Sequence, residues 1–212
     1  VEYLKNRKEK INFCLVGEPT NPTKLGEMIK IGRRGSLTGK LTIFGIQGHV
    51  AYPDRANNPS SIIVKVLKKF KEIKFDKGTK NFQPTNLEVT KINVDNTADN
   101  VIPATAEATF NIRFNNKHSS KSLIKKINKI LIQINKKNKS KFKIDYKVSG
   151  EAFLTKPNKT TFMIQNIVKK VTNVKPKLST TGGTSDLRFI KNISPGLEFG
   201  LVGKTMQKVD EA

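Results

Sequence analysis

The chain has 212 residues, 36% of them hydrophobic and set in short runs, enough for one large domain or two small ones around a buried core. No run approaches the roughly 20 apolar residues that cross a bilayer, and the opening VEYLKNRKEK has no apolar leader, so neither a membrane span nor a signal peptide is expected. The net charge of +23 invites nucleic acid as a partner, yet only 6 of 40 basic residues are Arg and Trp is absent, so solvated lysine-rich faces are expected rather than specific nucleic-acid contacts.

The chain opens without Met inside a charged segment and is expected to be a piece of a longer protein. The apolar run Ile11–Val16 ends at Gly17, Glu18 and Pro19 and reads as a buried strand of an α/β sheet. It holds the one cysteine, Cys14, which excludes an intrachain disulfide, fits a reducing compartment and is expected to be packed and inert. Glu18 stands at the C-terminal end of that strand, where open α/β sheets place ligands. A solvated loop carboxylate is the plain alternative. Arg33 and Arg34 sit between glycines and suit carboxylate recognition.

A β-type run over Leu37–Phe44 leads into the Gly-rich segment GIQGHVAYP (45–53). Its His49 is a candidate proton carrier or oxyanion donor, or an ordinary turn residue. Ile62, Ile63, Val66, Leu67, Phe70 and Ile73 recur at helical spacing, predicting a helix from Pro59 to Ile73 capped by Asn58 or Ser60. Strands are predicted around Asn86–Val94 and Ala104–Phe114, the second alternating cleanly. Arg113 alternates to the face opposite Ile112, fitting either carboxylate recognition or a strand-end ion pair. His118 reads as a polar loop residue before a helix capped by Ser119 or Ser120, with Leu123, Ile124, Ile127, Ile130, Leu131 and Ile134 along its stripe. A last strand carries Phe142, Ile144, Tyr146 and Val148.

The order is β-α-β-β-α-β, the ferredoxin-like arrangement. Beyond it come a helix with Phe162, Ile164, Ile167, Val168 and Val171, the loop TTGGTSD (180–186), and a second buried strand at Leu197–Val202. The loop lacks phosphate-loop spacing and offers backbone N–H groups that could grip a carboxylate. The flanking elements are expected to share one sheet. The expected architecture is therefore a partial α/β domain (1–34 and 150–212) interrupted by a ferredoxin-like domain (35–149).

Seven strings, VGEP (16–19), GRRGSL (32–37), GHVAYP (48–53), NVIP (100–103), FNIRF (110–114), TTGGTSD (180–186) and RFI (188–190), occur in an order similar to that of the M20 metallopeptidase-like family. The likeness is to its branch of desuccinylases acting on N-succinyl-LL-2,6-diaminopimelate, and it spans nearly the whole chain. The resemblance implies a catalytic α/β domain with an inserted lid that also forms a homodimer. It implies a zinc-dependent cytoplasmic amidohydrolase of lysine biosynthesis, two metals per full-length subunit, with cobalt as a possible substitute. By the same likeness Glu18 is a metal ligand, and His49 stabilises the oxyanion in the partner subunit's site. Arg33, Arg34, Ser36, Tyr52, Asn100, Arg113, Gly182, Gly183 and Thr184 would hold the substrate.

Two departures qualify the likeness. The family's other ligands and its general base lie before the segment that starts at Val1. Its final His ligand is replaced here by Gln207 in MQKVDE (206–211), and a neutral amide oxygen is a poor zinc ligand. The piece alone is therefore expected to be inactive. An acetylornithine deacetylase-like enzyme of the same family, or a non-catalytic dimerisation module, are the alternatives.

Overall fold

The computed structural model describes residues 2–138, 140–183 and 185–203. A short helix α1 (Glu2–Asn6) precedes strands β1 (Cys14–Val16), β2 (Met28–Lys30) and β3 (Gly32–Arg33). Then come β4 (Gly35–Phe44), β5 (Gly48–His49), helix α2 (Pro59–Lys71), β6 (Asn86–Asn93), β7 (Val101–Ile102) and β8 (Thr105–Phe114). Helix α3 (Ser120–Asn138) and β9 (Lys141–Gly150) follow. The chain ends its described course with β10 (Phe153–Leu154), α4 (Lys159–Thr172), β11 (Lys177–Ser179), α5 (Leu187–Ile190) and β12 (Gly196–Glu198).

These elements divide into two units of mixed α/β structure. One comprises residues 1–34, 78–83 and 151–212, the other 35–77 and 84–150. The return of Gly78–Gln83 to the first unit has no sign in the sequence pattern.

The second unit is built on an antiparallel sheet in the order β6-β8-β4-β9. Strand β8 alternates as expected, burying Ala106, Ala108, Phe110, Ile112 and Phe114. Leu37, Leu41 and Ile43 of β4 join them. Helix α2 begins where Asn58 accepts a hydrogen bond from the Ser60 N–H at 2.9 Å and Pro59 supplies a preset φ. It buries Ile62, Ile63, Val66 and Phe70, and the Phe70 ring meets Phe110 edge-on at 5.0 Å. Helix α3 contributes Leu123, Ile127 and Leu131. The glycines of β4 answer the phenylalanines of β8. Gly39 lies opposite Phe110 and Gly35 opposite Phe114, and a Cβ on either would sit 2.3 or 2.2 Å from the ring facing it.

His118 has the structural role expected of it. Its Nε2 lies 3.1 Å from Asp76 Oδ2, and Asn115 donates to the other Asp76 oxygen at 2.7 Å.

The first unit has a mixed sheet in the order β1-β12-β2-β11, with β1 parallel to β12 and β2 parallel to β11. The flanking elements thus share one sheet. Ile29, Ile31 and Leu197 form its core with Phe13, Leu154, Ile164, Leu178 and Phe199. Two expectations are corrected here. The β1 run was expected to be buried, but it is the end strand of the order and Leu15 is 52% exposed. Helix α4 buries Thr161, Gln165 and Val168, leaving Phe162, Ile167 and Val171 exposed. Polar groups orient it: Asn158 and Thr161 close a capping box, and Gln165 donates to the Pro176 carbonyl at 2.7 Å.

Candidate functional site

The candidate residues fall into two sets, one in each unit. In the first unit, β3 carries Arg33, β12 carries Glu198, and the chain after β1 carries Glu18. Arg33 is 6% exposed. Its Nε donates to Glu198 Oε2 at 2.8 Å, its Nη2 forms a tight ion pair with the same oxygen, and its Nη1 donates to the Thr181 carbonyl at 3.0 Å. Arg33 was expected on the substrate side. Its guanidinium is instead turned inward, because a fully buried carboxylate and a loop carbonyl satisfy it there. Ser185 donates through Oγ to Glu198 Oε1. Lys30, also buried, donates to Thr181 Oγ1 at 2.7 Å. Burial pushes the Lys30 ammonium down to about 8, with the Arg33 charge adding to the effect.

Glu18 is half-buried. Its carboxyl is held above the ordinary range, first by burial and then by the Glu198 charge, with Arg33 opposing and Asp186 adding. Gly182 has φ +102°, and a Cβ there would sit 2.3 Å from Arg33 Nη1. Gly183 faces open space. Thr184 and Gln207 lie outside the described residues.

In the second unit, a ribbon of β5 and β7 pairs His49 with Val101. The Tyr52 N–H donates to the His49 carbonyl at 2.9 Å, so His49 and Tyr52 share one turn, and the Val50 N–H donates to the Asn100 carbonyl at 3.0 Å, which ties Asn100 to that turn. His49 is exposed, and its Nδ1 accepts from the Ala51 N–H at 3.1 Å. In a neutral ring that leaves the proton on Nε2, a donor presented outward. Tyr52 stands 6.0 Å from the His49 ring, with the Arg55 guanidinium 5.1 Å over its own ring.

Ser36 and Arg113 pair across β4 and β8 at the opposite end of β4 from this turn. Ser36 Oγ accepts from Asn111 Nδ2 at 3.2 Å. Ser36 and Phe44 are eight residues apart along one strand, so this end lies roughly 27 Å from the one that leads to His49. The second unit therefore does not gather its candidates at one place.

Among the described residues, no group of three or more His, Cys, Asp or Glu side chains stands close enough to hold a metal ion. Sequence reading also missed Glu198 and Lys30. The available signal was a carboxylate inside the apolar strand Leu197–Val202, a residue type that is buried only when paired. No helix among the described residues is long and apolar enough to cross a membrane.

Residues 31–139 match the family described as the peptidase dimerisation domain, of the M20 group. The chain belongs to that family. Over its whole length this dimerisation-domain protein is 74% identical to a succinyl-diaminopimelate desuccinylase of Pelagibacter ubique (strain HTCC1062), covering 55% of that protein. It is 48% identical to the protein of the same name from Rickettsia bellii (strain RML369-C), again over its whole length and covering 54% of the relative. The chain thus spans about half the length of the curated relatives it matches. In fold it is similar to an M20 family metallo-carboxypeptidase, Sso-CP2, from Sulfolobus solfataricus, with a TM-score of 0.69 at 15% identity. That likeness covers 93% of this chain and 58% of the other.

Proposed function

We propose that the chain is part of a metal-dependent amidohydrolase that cleaves N-succinyl-LL-2,6-diaminopimelate to succinate and LL-diaminopimelate in lysine biosynthesis, in the cytoplasm. The observation that carries this reading is 74% identity over the whole chain to a succinyl-diaminopimelate desuccinylase. The second unit is a ferredoxin-like lid and dimerisation domain, a reading supported by the strand order β6-β8-β4-β9 with α2 and α3 as its two connecting helices. Residues 1–34 and 150–212, by chain position, are a portion of the catalytic α/β domain.

His49 serves as the oxyanion donor through Nε2–H, and it does so in the partner subunit's active site. The length of β4 between His49 and Ser36 with Arg113 supports that division, since one small substrate cannot touch both ends. Arg34, Ser36, Tyr52, Asn100, Arg113 and the backbone around Gly183 and Thr184 hold the substrate's carboxylates and amide. The full-length subunit binds two zinc ions, with cobalt as a substitute, and Glu18 is the one described ligand.

The test is release of succinate from N-succinyl-diaminopimelate by the full-length protein, set against release of acetate from N-acetylornithine. Succinate release without acetate release supports the reading; the reverse outcome moves the chain to the acetylornithine deacetylase-like branch. A second reading, a non-catalytic dimerisation module, is motivated by Gln207. Two zinc ions per full-length chain would rule it out.

A further inference from the structure

Four buried polar side chains of the first unit, Lys30, Arg33, Ser185 and Glu198, form with the half-buried Thr181 a network that the proposed reaction does not use. Glu198 is fully buried, and both its oxygens are taken, Oε2 by Arg33 and Oε1 by Ser185. Arg33 and Lys30 hold Thr181 by its carbonyl and its hydroxyl. Thr181 and Ser185 are the near and far shoulders of the Gly-rich loop. One carboxylate, directly and through Arg33, thus fixes both shoulders. A buried charge pair breaks even only when its remaining hydrogen-bonding capacity is met, as it is here by two loop residues.

We propose that Glu198 is a positioning residue, which uses Arg33 and Ser185 to hold the loop around Gly182 and Gly183 in its substrate-ready shape, and that Arg33 serves this network and not the substrate. Gly182 fits the same account. Its φ of +102° and the 2.3 Å approach of a hypothetical Cβ to Arg33 Nη1 make it the residue that lets the guanidinium lie under the loop. Gly183, with open space around it, is left to face a ligand.

The test has two arms, both on the full-length protein. The first is hydrogen exchange of the peptide spanning residues 180–186 in the parent, in Glu198→Gln, and in the double variant Arg33→Met with Glu198→Met. The double variant removes both charges together and so keeps the fold if Glu198→Gln alone does not. Exchange in that peptide is expected to rise roughly tenfold, the loss of about one net hydrogen bond, with the rest of the unit unchanged. Unchanged exchange in the double variant would overturn the proposal.

The second arm rests on the desuccinylase reading. The double variant is expected to lose about 100-fold in kcat, the scale of a misplaced site, even where its melting temperature equals the parent's. The loss is expected to be the same on N-succinyl-diaminopimelate, on N-butyryl-diaminopimelate and on N-succinyl-lysine. If Arg33 gripped a substrate carboxylate, the loss would vanish on the analogue lacking that carboxylate, and the proposal would fall. A parent protein that releases no succinate counts against the desuccinylase reading alone, and the exchange arm then decides the positioning role.

Discussion

Neighbouring glycines at 182 and 183 have different physical obligations. The first has a left-handed φ and a guanidinium against its missing side chain; the second has neither. Gly182→Ala is expected to cost about 1–3 kcal/mol in backbone strain alone, whereas Gly183→Ala leaves the melting temperature unchanged; thermal unfolding of the two variants checks the contrast. Lys30 supplies a second residue-scale prediction. With its folded value near 8 and its ordinary value at 10.5, the folded chain holds fewer protons than the unfolded chain between those limits. Stability therefore rises with pH across that window. Lys30→Met is expected to abolish the rise and to be more stable than the parent below pH 8, read from denaturant midpoints at a series of pH values. Glu198 explains why so little of this was legible beforehand. Its type and its apolar neighbours mark it as buried and paired, but the partner lies 165 positions away in the chain, and no local pattern identifies it.

At the scale of elements, legibility followed the area each element buries on one face. Strand β8 and helices α2 and α3 each bury a single regular face, so period alone places them. Three-residue strands such as β2 and β11 are shorter than any period can register, so the sequence pattern does not mark them. Helix α4 misleads in the other direction, because a capping box and one buried glutamine set its rotation against its apolar stripe. Asn158→Ala should therefore cost about 1 kcal/mol of stability, and a denaturant titration with an unchanged midpoint would remove the cap from the account. In the second unit, Gly39→Ala places a methyl group into the Phe110 ring. About 1–3 kcal/mol of overpacking strain is expected, with relief if Phe110 is shortened to Leu in the same chain.

For the whole molecule the dominant number is the charge. At +23 the chain is expected to bind heparin or DNA of any sequence, with affinity falling steeply as salt rises. Equal binding to unrelated sequences, measured at two salt concentrations, would confirm that this is a property of the lysine surface. Preference for one sequence would restore nucleic acid as a specific partner. The short return at Gly78–Gln83 to the first unit has no counterpart in the strand-helix order read along the chain.

The β3–β10 pair bears on inheritance as well as on packing. Gly32 and Arg33 lead the chain out of the first unit, Phe153 and Leu154 bring it back, and the two stretches lie hydrogen-bonded to each other. Apart from the return at Gly78–Gln83, everything between enters and leaves through this two-residue ladder, which stands outside the β1-β12-β2-β11 sheet, so a gene could exchange that stretch as a cassette without shifting the register of that sheet. One thread limits the exchange. Thr180 donates its hydroxyl proton to the Asn81 carbonyl, which belongs to the segment that returns mid-way. A replacement cassette would have to bring its own acceptor to that point, or leave the loop that begins at Thr180 without its anchor.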